Sequence, residues 1–386
     1  METALNQIKD LAATVSDEAR HQLIGSLRSI ANSLENVEDT LDRCSRLHLE
    51  AAAITVGLEL NLYKQLTVRE RSMTIQELAQ ETGAETQLLN RVMRYLAAIG
   101  SIDEVSEGRF SANNVTENLS KDVVVAGMFH SFYTIGPQYQ ALPSFLKKTG
   151  FKNPQDELHT PFQEGWNTSL DAFTWFADHL DHLAYFNDFM ALRREATLSW
   201  ISVYPVREMA GQWDPNLALY VNIGGGVGHQ CVQFKDRYPD IPGRVILQDL
   251  PHTIDKALPC KGVEHMACDF YEPQPIIGAK FYFMRGVLHD HPQHLVDKIL
   301  ENTRAAMKAE SILLVDEMIL PDTRVSARVA AIDLTMLTAR GGMERTEAQW
   351  RQTFEAAGLQ LVKTYSYNPA SYESVMEVRL PHGTAI

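Results

Sequence analysis

The hydrophobic pattern of the first part of the chain predicts helices. From Met1 to about Leu66 apolar residues recur at three- and four-residue spacing, with no proline between them. Leu47–Leu66 is apolar on nearly every face, so we expect one helix that is buried on most sides. The pattern therefore predicts a helical N-terminal region that packs in a core or against a partner chain.

A compact pattern of two helices and two strands follows. Its predicted elements are the helices Ile75–Thr82 and Glu85–Ile99 and the strands Ser101–Val105 and Arg109–Ala112. Thr74 can cap the first helix and Gly83 can end it. This order is typical of a winged helix. The second helix carries only Arg91 and Arg94 as cations, which favours a scaffold or dimerisation role over DNA recognition.

The chain from Ala126 to Ser199 has a helical pattern and is rich in aromatic residues. We expect prolines to break it into short helices, at Pro137, Pro143, Pro154 and Pro161. The pattern leaves open which rings pack in the core and which line a cavity for a flat organic ligand. The candidate lining residues, one of them further along the chain, are Phe129, His130, Trp166, Phe173, Phe176, Met190 and Met336.

Short β-rich runs alternate with helical patterns in the second half. The predicted strands are Leu217–Ile223, Val245–Leu247, Lys280–Met284 and Ser311–Val315, and the predicted helices are Val227–Arg237, Leu250–Ala257, Gln293–Met307 and Glu347–Ala357. This alternation predicts an α/β domain with a parallel sheet that is covered on both faces. Ligands of such sheets bind at the carboxyl ends of the strands. We expect three regions, 1–125, 126–200 and 201–386.

Composition narrows the class of protein. The 386 residues carry 35 Lys and Arg against 49 Asp and Glu, a formal charge of −14, which argues against a nucleic-acid partner. We find no pattern of a secretory signal and no apolar stretch that would span a bilayer. The cysteines Cys44, Cys231, Cys260 and Cys268 form no paired motif. We therefore expect a cytoplasmic protein with reduced thiols and no membrane partner.

Glycines and carboxylates follow the first strands of the predicted sheet. Gly224, Gly226 and Gly228 stand at a spacing shorter than the dinucleotide fingerprint, which favours a nucleotide without a pyrophosphate. Asp249, after the second strand, can accept hydrogen bonds from a ribose diol or cap the next helix. Further along, Asp269 and Phe270 suit the amino group and the ring face of adenine.

Several ordered motifs resemble a known family. QDLP, ACDFYEP, FMRGVLHDHP, LLVDEMILPD and ARGGMERTEAQW are similar to motifs of the class I S-adenosylmethionine-dependent O-methyltransferases, of the plant caffeate and flavonoid type and their fungal secondary-metabolite relatives. The resemblance implies an α/β Rossmann-like methyltransferase domain with an N-terminal, mainly helical winged-helix dimerisation domain. It also implies a homodimer and S-adenosyl-L-methionine as the cofactor.

The resemblance assigns roles residue by residue. The cofactor positions are Asn222, Gly224, Gly226, Gly228, Asp249, Leu250, Asp269, Phe270 and Arg285. His289 stands where the family has its general base, and Glu317 and Glu344 where it has the carboxylates that orient the base. Two residues depart from the family: Asn222 replaces an acidic residue, and His291 replaces an aromatic residue that covers the adenine.

Physical chemistry supports a base of this kind. A phenol with a pKa of about 10 is a poor nucleophile at neutral pH, so methyl transfer to its oxygen needs a positioned base. Imidazole is suited to that task, and a carboxylate fixes its tautomer. His289, His291 and His294 could instead suggest a metal cluster, but Pro292 indicates a helix start there, and we expect no metal.

The sequence thus predicts an O-methyltransferase that acts on a phenolic or enolic hydroxyl of a small aromatic or polyketide-like molecule. One alternative is an S-adenosylmethionine-binding pericyclase or dehydratase, in which His130 could take part. The other is a regulator that uses the winged helix, which the acidic composition disfavours.

Overall fold

A computed structural model describes residues 2–193 and 199–381. The chain divides into two compact units, Met1–Thr134 with Ala184–Arg193, and Ile135–Leu183 with Arg194–Ile386. Among the described residues, no helix combines the length and the apolar character that crossing a membrane requires.

Helices dominate the first unit. Its helices are α1 (Glu2–Ala12), α2 (Asp17–Leu34), α3 (Val37–Glu59), α4 (Leu62–Arg69), α5 (Ile75–Thr82), α6 (Thr86–Ala98), α7 (Asn114–Leu119) and α8 (Asp122–Phe129). Its strands are β1 (Met73–Thr74), β2 (Asp103–Ser106) and β3 (Arg109–Ser111), which form an antiparallel sheet in the order β1-β3-β2.

Local sequence signals set the bounds of α5. The Thr74 hydroxyl accepts the N–H of Glu77 while the Glu77 carboxylate accepts the N–H of Thr74, a complete capping box. Gly83 ends the helix with a φ of +70°. The predicted pair of helices and the hairpin after them are confirmed, whereas β1, only two residues long, was not predicted.

The prediction of one buried helix over Leu47–Leu66 is wrong. Asn61 adopts a left-handed φ of +53°, which separates α3 from α4. In the first half of this stretch Leu47 and Leu49 are 53% and 54% exposed, whereas Leu58 near the end of α3 and Leu62 and Leu66 of α4 are buried. Apolar composition predicted burial, but it did not show that the chain would turn at Asn61 or that Leu47 and Leu49 would be exposed.

Five further helical segments lie between His130 and Arg193. They are a π-helical turn (His130–Ile135), α9 (Gly136–Lys148), α10 (Pro161–Trp166), α11 (Ala172–Asp178) and α12 (Leu180–Arg193). Pro137 and Pro161 lie in the first turns of α9 and α10, where no intrahelical N–H is required. Pro143 does not end a helix as predicted, because α9 continues through it. Part of the predicted helical stretch, 194–198, lies outside the described residues.

One large sheet organises the second unit. Its strands are β4 (Ala218–Ile223), β5 (Arg244–Asp249), β6 (Val263–Ala267), β7 (Phe281–Arg285), β8 (Ile312–Leu320), β9 (Arg345–Thr346), β10 (Gln360–Asn368) and β11 (Glu373–Arg379). The order is β10-β11-β8-β7-β4-β5-β6, with β9 beside β8. The sheet is mixed, because β11 runs antiparallel to β8 and β10. The prediction of a wholly parallel sheet is therefore wrong.

Helices connect and cover these strands. They are α13 (Val206–Ala210), α14 (His229–Arg237), α15 (Pro251–Ile254), α16 (Gln293–Ala306), α17 (Ala327–Arg340) and α18 (Glu347–Ala356). Alternate residues of β7 enter two separate cores: Tyr282 and Met284 join one, and Phe281 and Phe283 join the other. Burial on both faces is therefore confirmed.

The chain order places a switch point at β4. From β4 the chain proceeds to β5 and β6 on one side, and then crosses to β7 and β8 on the other side. All of these neighbours are parallel, so their carboxyl ends lie at one edge. Ligands of open α/β sheets bind outside such a point.

Candidate active site

A turn of glycines follows β4 at this switch point. Gly224, Gly226 and Gly228 have φ values of +63°, +60° and +96°, which L side chains rarely adopt. Gly225 has no room for a side chain, since a Cβ there would lie 2.4 Å from Asn222 Nδ2. The turn therefore requires glycine for its shape and leaves its backbone open to a ligand.

The Asp249 carboxylate lies beside this turn. Its Oδ2 accepts the N–H of Gly226 at 2.8 Å, and its Oδ1 accepts the N–H of Leu250 at 2.8 Å. α15 begins at Pro251 with Leu250 as its N-cap, so Asp249 is not the helix cap that the sequence also allowed. Each carboxylate oxygen has a further lone pair, so a diol could still bind here. Leu250 is 43% exposed.

Aromatic side chains pack close to the same turn. A Cβ on Gly224 would lie 3.5 Å from the ring of Phe270, which follows Asp269 after β6. His291 is 5% exposed and meets the Phe270 and Tyr271 rings edge-on, at centroid distances of 5.5 and 5.7 Å. Its Nδ1 shares a 2.9 Å hydrogen bond with the Tyr271 hydroxyl. Sequence reasoning did not single out Tyr271.

Arg285, at the end of β7, lies in a network of acidic groups. Its Nε is 3.2 Å from Asp316 Oδ2, and its Nη2 is 3.6 Å from Glu373 Oε1. The Tyr367 hydroxyl donates to Asp316 Oδ1 at 2.8 Å. Burial raises the pKa of Asp316 to about 7, although Arg285 acts in the opposite direction.

His289 lies between two buried carboxylates. Its Nδ1 is 2.6 Å from Glu344 Oε1 and 4.0 Å from Glu317 Oε2. Glu317 Oε1 also accepts the N–H groups of Val287 and Leu288, at 3.1 and 2.9 Å. The same carboxylate that faces the imidazole therefore anchors the loop that carries it.

The carboxylates determine the charge of this site. Burial opposes a charged imidazole, yet Glu317, Asp290 and Glu344 together hold the pKa of His289 well above its ordinary value. Burial also raises the pKa of Glu317 to about 7, against the effect of His289. A proton that His289 accepts is therefore stabilised by three acidic groups.

The hydrogen bond to Glu344 also orients the imidazole. With Nδ1–H donating to Glu344, the lone pair of the neutral ring is on Nε2. Gly286 has a φ of +58°, and a Cβ there would lie only 3.6 Å from Nε2. Gly286 therefore lies directly beside Nε2, and the Asp290 Oδ1 is 3.7 Å from the same nitrogen.

The same three side chains also satisfy the spacing of a metal site. Within the described part of the chain, ligand atoms of His289, Glu317 and Glu344 lie within 4.8 Å of one another. The 2.6 Å separation of Nδ1 and Oε1 is the length of a charge-assisted hydrogen bond, which favours a proton between these atoms.

The candidate substrate-lining residues fall into two groups. Phe129, His130 and Met190 belong to the first unit, where the His130 ring lies 5.4 Å from that of Phe186. The members in the second unit are Trp166, Phe173, Phe176 and Met336. There Trp166 contacts Trp175 at a centroid distance of 4.4 Å, Phe176 is 7% exposed, and Phe173 is 49% exposed.

The fold and this site define a Rossmann-like domain with a glycine turn at its switch point and an imidazole held by two carboxylates. Residues 206–360 match the family model of the O-methyltransferase domain. The chain is 38% identical to the O-methyltransferase ucdC of Aspergillus ustus over 376 residues, 97% of this chain and 98% of that enzyme. It is 34% identical to a demethylsterigmatocystin 6-O-methyltransferase of Aspergillus parasiticus over 385 residues, 100% of this chain and 99% of that enzyme.

A solved structure is also similar to this chain over nearly its whole length. LepI in complex with S-adenosylmethionine superposes with a TM-score of 0.85 and 34% identity, covering 98% of both chains. The chain therefore belongs to the S-adenosylmethionine-dependent O-methyltransferase family, and the predicted family, Rossmann-like fold and cofactor are confirmed.

The residues present fit this cofactor. The glycine turn leaves its backbone accessible, and the Asp249 carboxylate lies against it. Asn222 is buried at the base of the turn, and its Nδ2 has no hydrogen-bond acceptor among the described residues. A buried donor without an acceptor is costly unless a ligand pairs with it.

Proposed function

We propose that this enzyme methylates a phenolic or enolic hydroxyl of a small aromatic or polyketide-like molecule, with His289 as the general base. The contact that carries the proposal is the 2.6 Å hydrogen bond between His289 Nδ1 and Glu344 Oε1, with Glu317 at 4.0 Å. Relatives named for methylation of demethylsterigmatocystin support this class of acceptor.

The residues would divide the work as follows. When bound, S-adenosylmethionine supplies an electrophilic methyl group. Nε2 of His289 would take the hydroxyl proton as the acceptor oxygen attacks, and Glu344 would keep Nδ1 protonated so that Nε2 remains basic. Glu317 would stabilise the imidazolium that forms. The glycine turn and Asp249 would bind the cofactor, with Asn222, Leu250, Asp269, Phe270 and Arg285 as its further contacts.

The test uses labelled cofactor. The enzyme is incubated with S-adenosylmethionine labelled in its methyl group and a panel of aromatic polyketide phenols that includes demethylsterigmatocystin, and products are analysed by mass. We expect label in one product. His289→Ala should lower turnover about 10²- to 10⁴-fold, because a positioned base contributes that much, and should leave cofactor affinity unchanged. Undiminished turnover in this variant would refute the base.

A second candidate function rests on one comparison. A structure described as a pericyclic reaction enzyme is 34% identical to this chain and superposes with a TM-score of 0.85. In that case His130 would act on the substrate, and its product would carry no label. A rearranged or dehydrated product of unchanged methyl content would favour this alternative.

The assembly and the location of the enzyme belong to the same proposal. We propose that the N-terminal region, 1–125, with its winged helix, forms the interface of a homodimer. Its helices α1 to α3 expose large apolar side chains, among them Leu5, Leu27, Ile30, Leu34, Val37, Leu41, Leu47 and Leu49.

We also propose roles for the three regions of the chain: 1–125 for dimerisation, 126–200 for lining the substrate site, and 201–386 for catalysis. Four free cysteines support a reducing, cytoplasmic location.

A further inference from the structure

A buried arginine connects the loop of the proposed base with an earlier part of the chain. Arg340, the last residue of α17, is 7% exposed. Its Nε donates to the backbone oxygen of Asp290 at 3.1 Å, next to His289. Sequence reasoning assigned no role to Arg340, although it lies in a motif that carries the family resemblance.

Two carboxylates from the part of the chain around α10 and α11 bind the other end of this guanidinium. Nη2 donates to Glu157 Oε2 at 2.8 Å, and Nη1 donates to Asp171 Oδ1 at 3.4 Å. Both belong to the second unit, Glu157 in the loop before α10 and Asp171 at the N-cap of α11. The Arg340 Cζ also lies 4.5 Å from the ring centre of Phe173, a candidate substrate-lining residue.

The turn after α17 fixes the neighbouring peptide. The N–H of Met343 donates to the His289 oxygen at 3.0 Å. A Cβ on Gly342 would lie only 2.0 Å from that oxygen, so the turn approaches the loop as closely as a backbone allows. The backbone carbonyl groups of His289 and Asp290 therefore accept hydrogen bonds from Met343 and Arg340, which lie directly before Glu344 in the chain.

The geometry points to Arg340 as a positioning residue: it fixes the His289–Asp290 backbone against the segment that carries Phe173, and so affects both turnover and acceptor binding. The inference rests on the proposed role of His289. Arginine suits this position because its planar group donates in several fixed directions at once. Lysine would retain the charge between Glu157 and Asp171 but could not donate to all three partners in the same geometry.

Arg340→Lys tests the inference. With the acceptor that gives the most labelled product in the panel above, we expect kcat to fall by about tenfold or more, since a charge-assisted hydrogen bond is lost. The acceptor KM should rise, and the cofactor Kd should stay within about twofold. kcat is normalised to the fraction of protein that binds cofactor. The matched control is Arg244→Lys, because Arg244 of β5 forms a solvent-exposed pair with Glu264 of β6 at 2.7 Å.

A second variant avoids loss of the fold. Asp171→Asn removes one charge that holds Arg340 but keeps the cap of α11, for which asparagine is equally suited. We expect a several-fold rise in the acceptor KM. Normal kcat and KM in both variants would overturn the inference, as would a lower melting temperature with normal kcat per cofactor site. His289→Ala is measured in parallel: full turnover there refutes the base itself, whereas an inactive H289A beside a normal R340K refutes only the role of Arg340.

Discussion

Replacing Glu317 by glutamine should change the pH dependence of the enzyme in a defined direction. The proposed base must be neutral to accept a proton, so we expect kcat/KM to rise with pH through the pKa of His289. Acidic neighbours hold this pKa well above its usual value, which places the acidic limb of the profile above about 6.5. Glutamine removes one negative charge, so the pKa of His289 should fall and the limb should move to lower pH.

The size of the shift follows from the separation of the two groups. Unit charges 4.0 Å apart, as for Nδ1 and Glu317 Oε2, interact by up to about 4 kcal/mol at an effective dielectric constant of about 20. That limit corresponds to about three pKa units. Because Glu344 and Asp290 remain and the site can relax, we expect a shift of about one to two units.

The plateau at high pH should fall as well. The charge that raises the pKa also stabilises the imidazolium formed during proton transfer, so we expect kcat about 10- to 100-fold below that of the unchanged enzyme. In the Glu317→Gln variant the amide oxygen of the new side chain can still accept the N–H groups of Val287 and Leu288, so the loop should keep its place.

The assay is kcat/KM across pH 5 to 10, with the melting temperature measured at each pH. Burial raises the pKa of Glu317 to about 7, so its ionisation costs the folded state stability as pH rises from about 4.5 through 7. The variant should therefore be at least as stable as the parent at pH 8. A lower plateau with an unmoved acidic limb would refute the electrostatic role of Glu317.

Two further predictions concern the cofactor site and the absence of a metal. Gly224→Ala should weaken cofactor binding at least about tenfold in calorimetry, because its φ of +63° disfavours a side chain and the new Cβ would lie 2.9 Å from Val287. The control is Gly150→Ala, which has a similar φ of +67° but open space around it and should leave cofactor binding unchanged. Equal effects of the two variants on cofactor binding would contradict this reasoning. Treatment with a chelator should leave turnover intact; a loss that added Mg²⁺ or Zn²⁺ restores would show that His289, Glu317 and Glu344 hold a metal instead.

Elements with strong local signals could be predicted from the sequence. Thr74 and Gly83 mark both ends of α5, and the glycines after β4 mark the switch point of the sheet. The strand β6 could not be found, because its residues are mostly exposed and show no apolar run. The strands β10 and β11 were also missed. Their antiparallel direction could not be predicted either, because it depends on the path of the chain rather than on local pattern.

The proposed base could be found only through the joint pattern of distant motifs. His289 and Glu344 are 55 positions apart, and nothing in either local sequence indicates their 2.6 Å contact. Arg340 was missed for a related reason. A single arginine at the end of a helix predicts a favourable interaction with the helix dipole, whereas its three partners lie 50, 169 and 183 positions away.

These long-range contacts bear on the choice between methyl transfer and rearrangement. A pericyclic reaction involves no proton transfer to a base, so burying Glu317 and Glu344 around an imidazole would cost stability without contributing to that chemistry. Methyl transfer to a hydroxyl releases a proton, and the proposed acceptor of that proton, His289, has its Nδ1 bonded to Glu344 and acidic groups that would stabilise the charge. The arrangement around His289 thus favours methyl transfer, even though the whole-chain similarity extends to enzymes of both kinds.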